Sequence, residues 1–542
     1  MKNIKIIILG LIIILAIFLR FWQIDKYPAG FNADEASYAY NAYSLIETGK
    51  DEFGNSWPVY FVSFGDYKPG GTTYFMLPFV KLFGLNETAA RLPSLMAGVF
   101  SVFLIYLFVQ ELFGVITISL LSALFLAISP WHIHFSRGAW ETNIATTFLL
   151  LGTYLFLKGL KNSKFFVFSV IAYSISIYTY HTPRIVIPLL GLFLVSIYRK
   201  QLIKNLKWVM ISGVVGFLIL LPFLLSSFSP AVTARFSGVG VFADTGPIWQ
   251  VNFQRGEHSN PNSIISKLFH NKLISYGLRI GQNYLSHFDG IFLFVLGDRI
   301  NRSNPPDMGE MYLFDAIFVL MGIYFLFKNR PKYGKIVLAW LLIAPLASSM
   351  TFQSPTALRA HNMIIPLIII SAYGCYYLSL LIKEKFPKIL HITYYILLIA
   401  FMVWNISYYL HQYYVHYPKA YPEAWEYGLK DLVRYLEPIK SKYDKIYVTE
   451  KYDQPYIIFL FYLHYSPNSF QKEAILTQRD KFGFSTVRDF DKYHFELIDW
   501  EKLKREKNIL VCGTSVEIPE TAKVIKTINF LNNEPALKCA EI

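Results

Sequence analysis

Long apolar runs recur along the first three quarters of this 542-residue chain, and they constrain its fold more than any other feature. A helix needs about 20 such residues to cross the roughly 30 Å of hydrocarbon in a bilayer. Hydrophobic residues make up 54% of the chain and charged residues 16%, which favours a membrane protein over a soluble one. We therefore predict eleven membrane-spanning helices, at 4–22, 90–110, 114–130, 141–158, 165–181, 184–199, 208–227, 311–328, 335–352, 361–382 and 388–410.

The charges that flank these runs predict how the chain is oriented. The first run follows Lys2 and Lys5 and closes on Arg20-Phe21-Trp22 without a small-residue cleavage site, which is typical of an uncleaved helix with a cytoplasmic N-terminus. Four of the loops that would then be cytoplasmic carry three or more Lys or Arg, as the positive-inside rule requires: 158–164, 199–207, 328–335 and 383–388. In a soluble protein the net charge of +14 would suggest a nucleic acid partner, but here the cytoplasmic loops account for many of the cations. We therefore expect a multi-pass plasma (inner) membrane protein and no nucleic acid partner.

The composition changes near residue 418 from apolar to charged, with short apolar runs. An odd number of spans places this region outside the cytoplasm. We predict strands at 445–449, 508–512 and 524–530 and helices at 422–436 and 454–465. The domains are then a transmembrane domain at 1–417, with outer loops at 23–89 and 228–310, and an extracytoplasmic α/β domain at 418–542.

The three cysteines, Cys375, Cys512 and Cys539, have no metal-type spacing. They imply no disulfide framework either.

The first outer loop, 23–89, is long, and loops of this length tend to be functional. It contains the pair Asp34-Glu35 and, later, Lys68-Pro69. Two further stretches, 36–46 and 72–83, are too short to span. We predict that both lie along the membrane interface, with the tyrosines of the first at the headgroup level (Tyr38, Tyr40 and Tyr43).

Arginines and histidines also collect in the shorter turns predicted on the outer face: Arg137, His181, Arg184 and Arg359. Any one of them is more often a side chain that snorkels or pairs with headgroups. Together they predict an anion, and a phosphate is the natural one because Arg contacts it with two parallel hydrogen bonds. The loop 228–310 adds three candidates for sugar or metal contacts, although a loop Asp is more often a turn former: His287, Asp289 and Asp298.

An ordered set of motifs covers roughly residues 1–200. It runs Asp-Glu-Ala-x-Tyr from Asp34, Lys-Pro-Gly-Gly from Lys68, and Ala-Ala-Arg-Leu-Pro-Ser ending at Ser94. This set resembles the GT-C glycosyltransferases of family 39, which include protein O-mannosyltransferases and the related aminoarabinose transferases. Taken together with the eleven apolar runs and the charged C-terminal region, this resemblance predicts a polytopic α-helical membrane protein of GT-C type, with about eleven transmembrane helices and a small C-terminal α/β extracytoplasmic domain. It also implies a sugar donor carried on polyprenyl phosphate and an acceptor at the outer face.

The resemblance assigns two residues directly. Asp34 matches the catalytic carboxylate of such enzymes, and Lys68 matches the lysine that contacts the lipid phosphate in the aminoarabinose transferases. Asp34 would act as the general base for an acceptor hydroxyl, and cations would stabilise the leaving phosphate. One displacement opposite the phosphate predicts inversion. After Lys68, we expect phosphate contacts from Arg359 and Arg184, and then from Arg137 and His181.

The role of Glu35 stays open among three readings: it orients Asp34, binds the acceptor, or pairs with a basic residue. The aminoarabinose transferases have a Glu before Lys-Pro-Pro, whereas Tyr67 precedes Lys68 here and Gly70 follows Pro69. This chain therefore departs from the aminoarabinose transferases at the Glu of that metal site, and a divalent cation is the one cofactor left open.

Two alternatives to a transferase remain. A transporter or flippase of lipid-linked sugars would need polar residues at mid-membrane depth on several helices. A structural or sensor protein would leave the elaborate first loop unexplained. For a transferase, the expected partners are membrane lipid, the lipid-linked sugar donor and an acceptor that is a glycan, a lipid or a protein.

Overall fold

The structure is a computed structural model that describes residues 2–227, 240–478 and 485–542. The chain forms two compact units. The first unit comprises Met1–Ile17, Val99–His134 and Ala145–Tyr409. The second unit comprises Phe18–Gly98, Phe135–Ile144 and Leu410–Ile542. The predicted loop 228–310 begins with twelve residues, 228–239, that lie outside the described part of the chain.

Helices account for most of the described residues. In chain order they are α1 (Lys2–Phe21), α2 (Ala33–Thr48), α3 (Gly71–Phe83), α4 (Glu87–Phe113), α5 (Ile116–Ile128), α6 (Pro130–Arg137), α7 (Glu141–Gly159), α8 (Phe165–Thr179), α9 (Pro183–Lys204), α10 (Leu206–Ser227), α11 (Gly246–Gly256), α12 (Ile264–Phe269), α13 (Lys272–Ser286), α14 (Leu313–Asn329), α15 (Gly334–Ile343), α16 (Leu346–Ser349), α17 (Ala357–Ala360), α18 (Ile364–Lys385), α19 (Lys388–His411), α20 (Tyr417–Ala420), α21 (Leu429–Leu436), α22 (Pro455–Tyr462), α23 (Pro467–Glu473) and α24 (Trp500–Leu503).

Six helical stretches of the described chain are long and apolar enough to cross a membrane: Asn3–Phe21, Glu87–Phe113, Pro183–Lys204, Leu206–Ser226, Ala357–Lys385 and Lys388–Ala420. A seventh results if α5 and α6, which meet at 55°, are counted as one span. Phe165–Thr179 and Gly334–Ser349 are apolar but shorter. The predicted multi-span helical protein is therefore confirmed, while the count of eleven stays a prediction.

In the first unit, α14 packs closely against α18. A Cβ atom at Gly322 would overlap the carbonyl oxygen of Ile370, and one at Gly374 would overlap that of Phe318. Small residues let two apolar helices approach this closely, and such contacts stabilise helix pairs where lipid removes the hydrophobic driving force.

In the second unit, α2 begins with a capping box. The Asn32 side chain accepts a hydrogen bond from the Glu35 backbone N–H (3.2 Å), and the Glu35 carboxylate accepts one from the Asn32 N–H (3.4 Å). The helix packs on α3 and α22. Tyr38 is 4% exposed and Tyr40 is fully buried. The prediction that these two tyrosines face the headgroups is therefore wrong, because protein covers that side of α2.

The strands form two sheets. A hairpin joins β1 (Tyr60–Ser63) to β2 (Asp66–Pro69), with Phe61 opposite Lys68. The second sheet has the order β4-β5-β6-β3-β7-β9-β8. Its strands are β3 (Lys445–Thr449), β4 (Ile475–Leu476), β5 (Val487–Phe490), β6 (Tyr493–Glu496), β7 (Ile509–Gly513), β8 (Val524–Asn529) and β9 (Pro535–Glu541).

The second sheet is mixed. β3 runs parallel to both β6 and β7, and the remaining strand pairs of the sheet are antiparallel. We predicted a C-terminal α/β domain, and a C-terminal domain with a mixed β-sheet is confirmed. The strands expected at 445–449, 508–512 and 524–530 correspond to β3, β7 and β8. The other four strands were not predicted. The domain boundary at 418 stays a prediction.

Cys512 on β7 and Cys539 on β9 are directly paired and form a disulfide. The expectation of no disulfide is therefore wrong. The two residues are 27 positions apart in sequence, and only the pairing of their strands brings their Cα atoms to 4.1 Å.

Candidate functional site

Asp34 and Lys68 form an ion pair in the second unit. Asp34 lies in the first turn of α2, where the helix dipole favours a carboxylate. Lys68 lies on β2 and donates from Nζ to Asp34 Oδ1. The hairpin thus brings together two charges that are 34 residues apart, as expected if both belong to one site.

The surroundings of this pair differ on its two sides. The Lys68 side chain is 10% exposed, whereas the Asp34 side chain is 33% exposed. Lys68 Nζ lies 4.4 Å from the centre of the Phe64 ring and 5.2 Å from that of Tyr38, which stabilises the cation. The carboxylate is therefore partly exposed, while its partner is held against aromatic rings.

Glu35 is buried and forms an ion pair with Arg91 of α4. Arg91 donates from Nε and Nη2 to the two Glu35 carboxylate oxygens, at 3.0 Å each. The Ala139 N–H donates to the same carboxylate at 2.8 Å. Arg91 also donates to the carbonyls of Ile24 and Gly30. Of the three readings for Glu35, pairing with a basic residue is the one this geometry displays.

Arg91 and Glu52 were not among the predicted site residues. The signal for Arg91 was its place in the Ala-Ala-Arg motif. Glu52 is fully buried, and neither carboxylate oxygen has a hydrogen-bond partner within the described residues. Burial, with a smaller contribution from Asp51, raises the pKa of Glu52 to about 8, and the nearby Asn41 side chain and then Lys68 oppose this rise. Its sequence signal was only a second carboxylate pair in the same loop.

Arg137 closes the C-terminal end of α1. Its Nη1 donates to the carbonyls of Leu19 (3.0 Å) and Arg20 (3.1 Å), and its Nη2 donates to those of Trp22 (2.7 Å) and Tyr27 (3.1 Å). A guanidinium at this end also complements the helix dipole. These bonds account for the residue structurally, and its predicted phosphate contact stays a prediction.

In the first unit, Asp298 contacts the short segment that carries Arg359. Asp298 accepts hydrogen bonds from the N–H groups of Ala357 (2.6 Å) and Ile300 (2.9 Å). Burial raises the pKa of Asp298 to about 6, although these bonds and Arg359 oppose the rise. Arg359 donates from Nη1 to Thr351 Oγ1 at 3.0 Å.

The turn that carries His181 and Arg184 adjoins the same segment, since Thr182 Oγ1 donates to the Arg359 carbonyl at 3.1 Å. The Arg184 guanidinium lies 4.6 Å from the centre of the Phe223 ring. The backbone segments that carry the predicted first-unit cations Arg359, Arg184 and His181 are thus in contact.

The remaining candidates have local partners. His287 is buried, with Nδ1 at 2.8 Å from the Asn283 carbonyl and Nε2 at 2.8 Å from Ser348 Oγ. Burial lowers the pKa of His287 to about 4, so it is neutral at pH 7. Asp289 is exposed and accepts from the Ile291 N–H, as a turn former does. In the described ranges, no three or more His, Cys, Asp or Glu residues are grouped to hold a metal ion.

Comparison with known proteins gives a family match and a fold. Residues 67–225 match the family model PMT_2, described as dolichyl-phosphate-mannose-protein mannosyltransferase. This range includes Lys68 but not Asp34. An uncharacterized protein of Aquifex aeolicus (strain VF5) is 31% identical over 186 residues, which are 33% of this chain and 36% of that protein. The chain thus spans about a third of the length of this curated relative.

Solved structures resemble the chain over most of its length. ArnT from Cupriavidus metallidurans in the apo state has a TM-score of 0.54 at 12% identity and covers 99% of this chain and 98% of its own. ArnT bound to undecaprenyl phosphate has a TM-score of 0.52 at 12% identity, covering 99% and 97%. Archaeal oligosaccharyltransferase AglB from Archaeoglobus fulgidus, in complex with an inhibitory peptide and a dolichol-phosphate, has a TM-score of 0.52 at 13% identity, covering 85% and 64%. At these identities the likeness shows the fold alone.

Proposed function

We propose that this chain, whose residues 67–225 match the dolichyl-phosphate-mannose-protein mannosyltransferase family model, is a glycosyltransferase that uses a polyprenyl-phosphate sugar. The family resemblance read from the motifs is confirmed by that match. The observation that carries the proposed activity is the Asp34–Lys68 pair at the start of α2. The donor class is supported by relatives of the same fold that were solved with undecaprenyl phosphate and with dolichol-phosphate.

The pair suggests how the two charges would separate during the reaction. A lipid phosphate that enters the site competes with Asp34 for the Lys68 ammonium, because a phosphate oxygen is also a strong acceptor for a charged donor. Asp34 is then released to accept the proton of an acceptor hydroxyl. Lys68 remains on the phosphate, where negative charge grows as the donor bond breaks.

The transfer step balances as a single displacement. The acceptor oxygen forms a bond to the anomeric carbon, and its proton moves to Asp34. The bond from that carbon to the phosphate oxygen breaks, and its electron pair leaves with the lipid phosphate. Attack opposite the leaving group inverts the anomeric carbon. Contacts from Arg359, Arg184, Arg137 and His181 to the phosphate remain predictions.

We place the active face outside the cytoplasm, with a cytoplasmic N-terminus and eleven spans. The disulfide between Cys512 and Cys539 supports this orientation, because disulfides persist mainly in oxidising compartments. The acceptor therefore belongs to the cell envelope, as a glycan, a lipid or a protein.

The test compares envelope glycans and glycolipids by mass spectrometry in cells that lack the gene and in cells complemented with variants. Asp34→Asn should fail to restore the sugar, whereas Glu47→Gln should restore it, because Glu47 is an exposed carboxylate at the other end of the same helix. If Asp34→Asn fully restores the sugar, the assignment of Asp34 as general base is wrong, and a transporter of lipid-linked sugars is favoured.

A further inference from the structure

A cavity of about 380 Å³ lies within the second unit, and neither Asp34 nor Lys68 lines it. Its wall is built from the segment 25–31, the first turn of α4, and three parts of the C-terminal region. The volume falls within the range of about 300–1,000 Å³ that is usual for small-ligand sites. Nothing in the transfer mechanism above uses this space.

Aromatic side chains form part of the wall. Tyr27, Phe31, Tyr427 and Tyr462 all line the cavity. The Phe31 and Tyr462 rings are in contact, with centroids 6.3 Å apart. Phe31 immediately precedes the Asn32 cap of α2, so the wall leads directly into the helix that carries the predicted base.

The charges in the wall are mixed and nearly balanced, with four carboxylates and three cations: Asp25, Glu87, Glu426, Asp431, Lys26, Lys430 and Arg434. Such a lining does not favour a phosphate-rich or polyanionic ligand, because each anionic group would also face carboxylates.

Several of these polar groups are available to a ligand. Glu87 Oε1 accepts from Lys430 Nζ (2.6 Å) and from the Tyr462 hydroxyl (2.5 Å), while its Oε2 accepts no hydrogen bond within the described residues. Asp431 and Arg434 are exposed and form no side-chain hydrogen bond or ion pair in the same ranges. A bound molecule would thus meet acceptors and donors side by side.

We propose that this cavity binds an uncharged saccharide unit of the acceptor; the inference rests on the proposed transferase function. Each sugar hydroxyl both donates and accepts, so it pairs equally well with Glu87 and Arg434. The C–H faces of a sugar ring pack on aromatic rings such as Tyr427. An acceptor held beside Phe31 would be anchored next to the start of α2.

A peptide acceptor fits the same cavity less well. Extended peptides gain main-chain hydrogen bonds by adding to the edge of a sheet. None of the described lining residues belongs to a strand. The wall consists of helices and connecting segments, which offer side chains rather than a row of main-chain groups free to pair with a strand.

The experiment uses the full chain in lipid nanodiscs and saturation-transfer-difference NMR. The probe is the neutral oligosaccharide fraction released from the envelope of the source cells, with the acidic fraction and a peptide library in parallel. We expect the neutral fraction to bind. Tyr427→Ala and Arg434→Ala should each weaken binding roughly three- to tenfold, as expected for the loss of one ring or one hydrogen-bonding group. The matched control is Arg505→Ala, since Arg505 is an exposed arginine of the same region that does not line the cavity.

Binding of undecaprenyl phosphate is measured on the same samples. If the wild-type chain binds this lipid but no neutral saccharide, the cavity assignment is overturned while the proposed function stands. Equal binding by all variants, or a preference for acidic glycans or peptides, also overturns it. If the lipid itself does not bind, the proposed function fails first.

Discussion

Replacing Glu52 with glutamine should change how stability depends on pH. Glu52 is fully buried, and burial raises its pKa from 4.5 to about 8. Between these two values the folded state holds a proton that the unfolded chain has released. The free energy of unfolding of the wild-type chain should therefore fall as pH rises through this window.

The size of the effect follows from the shift. Each pH unit in the window changes the free energy of unfolding by about 1.4 kcal/mol per displaced proton. Over the shift of Glu52 this amounts to a loss on the order of 5 kcal/mol by pH 8. Glutamine has nearly the same shape and does not titrate, so the Glu52→Gln chain lacks this loss. Asp51 is also buried with a raised pKa and is present in both chains, but its charge contributes to the rise at Glu52, so the difference between the chains includes this coupling.

The assay is thermal unfolding of both chains in the same detergent, followed by intrinsic fluorescence from pH 5 to pH 9. We expect the Tm of Glu52→Gln relative to wild type to rise with pH by several degrees, on the order of 5 °C, and to level off above pH 8. Glu47→Gln, an exposed carboxylate on α2, should show no such trend. A Tm difference that stays constant or shrinks as pH rises would refute the reasoning about burial.

Three further predictions concern the same unit. Glu35→Gln removes one charge from a fully buried ion pair and leaves Arg91 uncompensated, so the free energy of unfolding should fall by about 3–5 kcal/mol, measured as a lower Tm; an unchanged Tm would contradict it. Lys68→Ala removes the predicted phosphate contact, and undecaprenyl phosphate should bind roughly tenfold to a hundredfold more weakly; equal affinity would contradict the assignment. In the denatured wild-type chain, Cys512 and Cys539 should react with a maleimide mass tag only after reduction; labelling of either one without reductant would exclude the disulfide.

Local patterns in the chain were sufficient for several elements of the fold. The apolar run after residue 90 becomes α4, and the stretches 36–46 and 72–83 lie within α2 and α3. The strand at 445–449 is found as β3 with the same bounds. Periodicity and length decide such elements, because the hydrogen bonds of a helix and the alternation of a strand depend on neighbours close in sequence. The Asp34 and Lys68 motifs also identified a pair that is in contact in the fold.

The partners of buried groups depended on tertiary contacts instead. Glu35 had three open readings until the fold placed it against Arg91, 56 residues away. Cys512 and Cys539 had no meaningful spacing until two antiparallel strands aligned them. Glu52 looked like an ordinary loop carboxylate, yet its unusual pKa comes from complete burial. These properties arise from desolvation and from contacts between distant segments, and neither is encoded in the order of adjacent residues.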